Sequence, residues 1–326
     1  MIAIGVSLPF RRVDRVLTAA LALLLAAGLA TTAVSMAWFR DADSSAAALA
    51  ADTLAPPTSL GATGSLTATL SWTMTVDAYA AGYHVYRAAT SSGVYALIGT
   101  VTPRTAVTFV DGPAAGTYWY KVRSYVQGWE SVDAGPVSAV VVAQVATGYK
   151  PCVAASNAAD VASAGDNNGY QSNPTRACTD DSSFATDSNS GSGGTQSCGA
   201  GAVPDVTKDR HRLWGYALGL PATVTSIDGI QVRADLALNN VTGTTNLCAQ
   251  LSWDAGTTWT TIKSQAITVA GETTYVFGGT ADTWGRAWTT AQLGTATFRV
   301  RIIDASTLAS KQFQLDYVAV QVTYTP

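Results

Sequence analysis

Gly82-Tyr83-His84-Val85-Tyr86-Arg87 and Gly116-Thr117-Tyr118-Trp119-Tyr120-Lys121-Val122 are the two stretches whose reading decides the fold. Successive side chains of an extended chain point to opposite faces. Tyr83 and Val85 therefore share one side, and His84 and Tyr86 the other. Aromatic and β-branched residues of this kind fit a pleated, half-buried surface. Working outward, Thr67–Trp72 reads as a strand with Leu70 and Trp72 on one face. Tyr95–Val101, Thr105–Val110 and Val137–Val142 continue the pattern, and Pro56-Pro57 opens it. Short alternating segments bounded by Gly, Pro, Ser and Asp predict a β-sandwich over residues 55–146.

The same residues resemble the fibronectin type III domain. The shared landmarks are the Pro-rich start, Leu70-x-Trp72, Tyr83-x-Val85-Tyr86-Arg87, Asp111, and Gly116-Thr117-Tyr118-x-Tyr120-x-Val122, all in order. The resemblance implies an Ig-like sandwich with Trp72 in the core. It also implies that Tyr118 is the tyrosine-corner residue, its hydroxyl bonded to nearby backbone. No integrin-type Arg-Gly-Asp tripeptide is present, and the module is expected to act as a spacer. Trp129, in Gly128-Trp129-Glu130, is its one candidate for an exposed aromatic; a ring packed on its own loop is the ordinary alternative.

Residues 147–326 continue without a helical period. Arg212–Leu218, Ile227–Leu238, Leu247–Trp253, Thr257–Ser264, Thr273–Gly278, Thr297–Ile303 and Lys311–Tyr324 read as strands. Phe298, Val300 and Ile302 alternate with Arg299 and Arg301, the mark of a half-buried strand. In the last strand the apolar phase slips from Phe313/Leu315/Tyr317 to Val318/Val320/Val322, which predicts a bulge near Asp316-Tyr317. Seven or eight strands of this kind predict a larger jelly-roll-like sandwich. The runs Leu218–Pro221, Ile227–Val232, Gly278–Trp288, Phe298–Val300 and Leu315–Val318 are similar to jelly-roll modules of bacterial surface and phage-associated proteins. That likeness implies attachment or carbohydrate binding. Ser252-Trp253-Asp254-Ala255-Gly256-Thr257-Thr258-Trp259 matches the Asp-box of sialidases. There it recurs once per propeller blade; here it occurs once, so Ser252, Asp254, Gly256 and Trp259 are expected to form a stable hairpin turn and no propeller.

The N-terminus reads as an export signal. Arg11, Arg12 and Arg15 precede an apolar run from Val16 to Val34, and Ser35-Met36-Ala37 offers a small-x-small cleavage pattern. Cleavage after Ala37 yields a signal peptide, 1–37; an uncleaved signal helix anchored in a membrane is the alternative. Ala37-Trp38-Phe39-Arg40-Asp41 and Asp52-Thr53-Leu54 resemble leaders of biofilm-fibre subunits cut by a dedicated signal peptidase. Residues 38–54 form an Ala/Ser-rich spacer. Only 13% of residues are charged, and the formal net charge is −3. Taking three arginines and Asp14 from the 19 basic and 22 acidic residues leaves 16 against 21, so the exported chain carries −5. No basic run remains to neutralise a row of phosphates, which argues against nucleic acid as a partner.

Four cysteines in an exported chain imply two disulfides. Cys178 and Cys198 flank a Gly/Ser/Asp-rich loop, so Cys178–Cys198 with Cys152–Cys248 is the economical pairing. No CxxC spacing supports a thiolate metal site. Asp166, Asn168 and Asp180 offer hard oxygens for calcium without a complete loop motif, and solvated turns explain them as well. No other cofactor is expected.

The chain holds two histidines and no recognised catalytic motif, so it is read as no enzyme. His84 is expected at the surface and His211 at a solvated strand edge. Trp284 and Trp288 in a Gly-rich connection, with Arg286, Asp282 and Trp214, are the candidate contacts for a sugar; pinning of the loop is the alternative. The leading reading is a non-catalytic, extracellular or cell-surface protein for adhesion or carbohydrate binding, its partner a glycan or a surface protein. A self-associating subunit of a surface layer or filament, or an accessory module of a secreted glycan-active system, are the alternatives. A membrane is a partner only through an uncleaved N-terminus.

Overall fold

In the strand Ala68–Thr73 the side chains of Ala68, Leu70 and Trp72 are buried while those of Thr69, Ser71 and Thr73 are exposed. The period-two pattern has become one dry face and one wet face. The computed structural model describes residues 53–153, 158–159, 169–189 and 194–326. The leader, most of the spacer, Asp166 and Asn168 lie outside the described residues. Among those described, no helix is long and apolar enough to cross a membrane.

The first sandwich contains β1 (Thr58–Gly64), β2 (Ala68–Thr73), β3 (Gly82–Ala88), β4 (Ala96–Val101), β5 (Thr108–Asp111), β6 (Gly116–Val126), β7 (Trp129–Glu130) and β8 (Ala134–Val141). A β1-β2-β5 sheet faces a β4-β3-β6 sheet in which β7 and β8 both pair with β6. This is a fibronectin type III-like arrangement. Leu70, Trp72, Tyr83, Val85, Tyr120 and Val122 form the core, with Trp72 meeting Tyr83 edge-on at 5.2 Å. Tyr120 carries a hydroxyl bond of another kind, to a side chain, where a bond from Tyr118 to backbone was expected. Tyr118 sits half-buried at the start of β6, beneath Arg87 at 5.1 Å. Two residues further in, where the core closes, buried Tyr120 donates to Asp111 at 2.9 Å. Asp111 also accepts both bonds from Arg87, so β3, β5 and β6 share one polar tie.

The second sandwich contains β9 (Val145–Ala146), β10 (Lys150–Pro151), β11 (Ala158–Ala159), β12 (Ala185–Asp187), β13 (Gly199–Ala200), β14 (Val203–Pro204), β15 (Asp209–Trp214), β16 (Ser226–Leu238), β17 (Thr245–Ser252), β18 (Lys263–Ala266), β19 (Thr273–Gly278), β20 (Arg299–Ser306) and β21 (Phe313–Thr325). One sheet runs β10-β21-β16-β19, with β9 and β12 also on β21; the other runs β11-β15-β20-β17-β18. They enclose a core that includes Ile230, Val232, Leu251, Phe277, Phe298, Val300 and Val320. The phase slip in β21 is a bulge: Tyr317 pairs with Asp235 and Leu315 with Leu236, skipping Asp316. The skipped residue turns its buried carboxylate to the backbone N–H groups of Asp181 and Ser183, pinning that loop.

Three expectations change. The disulfides are Cys152–Cys178 and Cys198–Cys248, in place of Cys178–Cys198 and Cys152–Cys248. Strand pairing decides this. Cys152 follows β10 on β21, and Cys178 bridges to Tyr317 on the same strand. Cys198 instead packs with Cys248, Ile303 and Ala305 on the outside of the other sheet. That cover also makes β20 buried on both faces: Arg301 is only 6% exposed, lying over Trp259 at 3.7 Å and bonded to Gln250. His211, expected at a solvated edge, is buried in β15 between Ala159 and Ile302. Its Nδ1 accepts from the Tyr170 N–H, and burial beside Arg212 holds it down at about 4.

The two sandwiches meet through a built connection. β9 pairs with the end of β21, Val145 opposite Tyr324 and Ala146 opposite Thr323. Thr147 then exchanges bonds with Val322. The chain leaving β8 thus enters the second sheet as a strand, a few residues before the boundary expected at 147.

Candidate binding site

The loop carrying Trp284 and Trp288 is laid on the sandwich by backbone geometry. Gly278 has φ 80°, and a Cβ there would stand 2.2 Å from the Ile230 carbonyl, so glycine permits the close crossing of β16. The Ile230 N–H donates to the Asp282 carbonyl, and the Trp284 indole N–H returns a bond to the Ile230 carbonyl at 2.8 Å. The Trp288 indole donates to the Thr283 carbonyl at 2.8 Å. Both rings are buried, 5% and 6% exposed.

The polar residues of this loop are equally committed. Arg286 lies 3.6 Å over Trp253 and 4.6 Å over Trp288, and its burial lowers its pKa against the pull of Asp254. Asp282 accepts from the Trp284 N–H and from Lys263 at 2.7 Å. Trp214 is half-buried with Arg299 5.1 Å over its ring. The geometry therefore gives Trp284, Trp288, Arg286, Asp282 and Trp214 a loop-pinning arrangement, with no broad ring face open for stacking. The reason is that the indole N–H groups find carbonyl partners inside the fold, which draws the rings in. Trp288 still forms part of the wall of a cavity considered below.

The Asp-box turn is formed. Asp254 accepts from the backbone of Thr257 and Thr258 at 3.1 and 2.8 Å, Gly256 has φ 94°, and the Trp259 indole donates to the Gly256 carbonyl. Asp180, the described member of the calcium candidates, pairs with Arg233 at 3.1 Å. Among the described residues no group of three or more His, Cys, Asp or Glu is placed to hold a metal.

The exposed aromatic surface is on the first sandwich. Trp129 is 63% exposed and Val132 73%, both from the hairpin joining β6 to β8. Met74, Val76 and Tyr79, from the loop joining β2 to β3, are 46%, 83% and 48% exposed. The two loops share one end of the sandwich, where the Ala81 N–H donates to the Tyr125 carbonyl. The turn leaves Trp129 outside the core cluster, with most of its surface exposed; this is the aromatic that sequence reading singled out but weighed against loop packing.

Next to it the outer face of β3 and β6 carries a linked polar array. His84 Nδ1, the Tyr86 hydroxyl and Arg123 all meet the Glu130 carboxylate. Arg123 and Lys121 meet Asp133 at 2.6 and 2.8 Å. His84 stacks on Tyr125 at 4.1 Å with rings 8° from parallel. Burial alone would raise the Glu130 carboxyl, but the bonds from Tyr86, His84 and Arg123 outweigh it and hold it at about 2. Burial and Glu130 together push the Tyr86 hydroxyl up to about 12. Sequence reading missed this array because its members come from β3, β6 and β7; the alternation of His84 with Tyr83 and Val85 was the one available signal.

No family model matches the chain, and no curated protein matches it. Among solved structures it is similar to an Fn3-like protein from Clostridium thermocellum, with 28% identity over 28% of this chain and 93% of that one, at a TM-score of 0.24. It is also similar to a two-domain fibronectin type III segment of chicken tenascin, with 10% identity over 77% and 92% of the two chains, at a TM-score of 0.24. A putative glycoside hydrolase from Bacteroides thetaiotaomicron matches at 10% identity over 82% and 93%, with a TM-score of 0.26.

Proposed function

We propose that this chain is an exported, non-catalytic adhesion protein that binds carbohydrate at the loop end of its first sandwich. The observation that carries the reading is the exposure of Trp129 and Tyr79 together with Met74, Val76 and Val132. Exposed apolar side chains gathered on two loops at one end, beside polar groups, mark an interaction site. Flat amphipathic rings suit the C–H faces of sugars, and the adjoining Arg123, Glu130 and His84 supply donors and acceptors for hydroxyls. Two disulfides, Cys152–Cys178 and Cys198–Cys248, fit an oxidising compartment outside the cell. The histidines support a non-catalytic role: His211 is sealed under Tyr170, and His84 lies flat on Tyr125 on an open sheet face.

The test is a glycan array probed with the secreted protein and with Trp129→Ala, using Trp284→Phe as a second variant on the other sandwich. Loss of the signal in Trp129→Ala alone is expected. An array without hits, or hits indifferent to Trp129, would sink the reading.

A further inference from the structure

Three cavities adjoin along the second sandwich and reach the junction with the first. One of about 250 Å³ is walled by Tyr216, Leu218, Leu220, Leu293, Thr290 and Thr295 among others. The next, about 200 Å³, lies between Val224–Ile227 and Trp288–Thr290. The third, about 350 Å³, is framed by Ser65, Val140 and Val142 of the first sandwich and by Thr225 and Thr325 of the second. Thr290 lines the first two, and Thr225 the second and third, so the three form one interrupted groove. The third falls by itself within the ~300–1,000 Å³ range of small-molecule sites, which favour such module interfaces.

We propose that this groove is a second binding site, distinct from the loop end, and that its occupant is a linear, uncharged oligosaccharide. No Asp, Glu, Lys, Arg or His side chain lines any of the three cavities, so a charged ligand would be stripped of water without an oppositely charged side chain to meet it. The walls instead alternate apolar groups with hydroxyls, matching a sugar ring's C–H faces and hydroxyl rim. At least one exposed hydroxyl stands in every cavity: Thr295 and Thr290 in the first, Thr290 in the second and Ser65 in the third.

The strand pairing of the linker supports this placement, since β9 builds it into the second sheet beside Thr325, which lines the third cavity. The experiment is titration calorimetry of the secreted protein with neutral β-1,4-linked gluco-, xylo- and manno-oligosaccharides of two to six units. Affinity for at least one series should rise with length and then level off as the groove fills. Thr290→Trp and Ser65→Trp, both at exposed positions, should each weaken it about tenfold or more, in the wild-type protein and equally in a Trp129→Ala background that removes the loop end. Retained affinity in both groove variants overturns the proposal, as does the absence of heat with every series. Loss with Trp129→Ala alone assigns the sugar to the loop end and also overturns it.

Discussion

The two sandwiches handle their ionisable groups in opposite ways. The first keeps them outside: Lys121, Arg123, Glu130 and Asp133 form a partly exposed array on one sheet face. The second buries them. Asp187, Lys208, Asp209, Arg210, His211, Asp235, Arg301, Asp304, Lys311 and Asp316 are all buried, none more than 6% exposed. Buried Lys311 donates to three oxygens of Asn240 and Thr242, and Lys208 to the Ser306 carbonyl. Asp304, held by the Tyr170 hydroxyl at 2.8 Å, has its pKa raised by burial and by Asp187 nearby. Charges placed inside in this way hold long loops to the sheets, where an unpaired group would be costly. The lesson is that chemical richness and availability separate in this molecule. The second sandwich buries ten ionisable side chains, and the first keeps its linked array partly open.

That contrast can be broken or sharpened by measurement. Trp284→Ala should have the largest effect. It empties a buried site and orphans the Ile230 carbonyl, costing about 3–5 kcal/mol. Urea melts followed by near-ultraviolet dichroism would show it, and a change below about 1 kcal/mol would mean the loop is not pinned as described. Replacing Cys198 and Cys248 together by serine should cost about 2–5 kcal/mol. The second sandwich should then melt before the first in calorimetry, because both disulfides lie in it.

His211 gives a pH signature. Its folded value, about 4, lies below the ordinary 6.5, so falling pH protonates the unfolded chain first. Stability should decline between about pH 6.5 and 4, by about 3 kcal/mol in total at ~1.36 kcal/mol per unit, and this contribution should be constant below that window. His211→Asn should flatten the decline; an unchanged slope in that window would show that other groups cause it. The smallest stability effect is expected for Trp129→Ala, within about 0.5 kcal/mol, although carbohydrate binding at the loop end should disappear. A large loss of stability there would mean the ring is packed after all.

Much of the architecture could be read from the chain alone, and particular residues show why. Leu70 and Trp72, or Tyr83 and Val85, state their facing by local alternation. Gly256 and Asp254 specify their turn within a few bonds of one another. The phase slip around Asp316 forecast the bulge, since a strand cannot keep both apolar sets inward without an extra residue. The candidate site was less legible. Trp284 and Trp288 sit in a glycine-rich stretch that looks exposed in one dimension, yet carbonyls of Ile230 and Thr283 take their indole N–H groups and bury them.

Local physics therefore determined the all-β character, the two-module order, the hairpin turn and the bulge, because each depends on neighbours a few residues away. The tertiary structure alone decided the cystine pairing, the burial of Arg301 and His211, the tie of the Tyr120 hydroxyl to Asp111, and which tryptophan reaches solvent. Each of those depends on which strands lie side by side and what crosses their outer faces. That information is held in contacts between residues far apart along the chain, and one-dimensional spacing does not carry it.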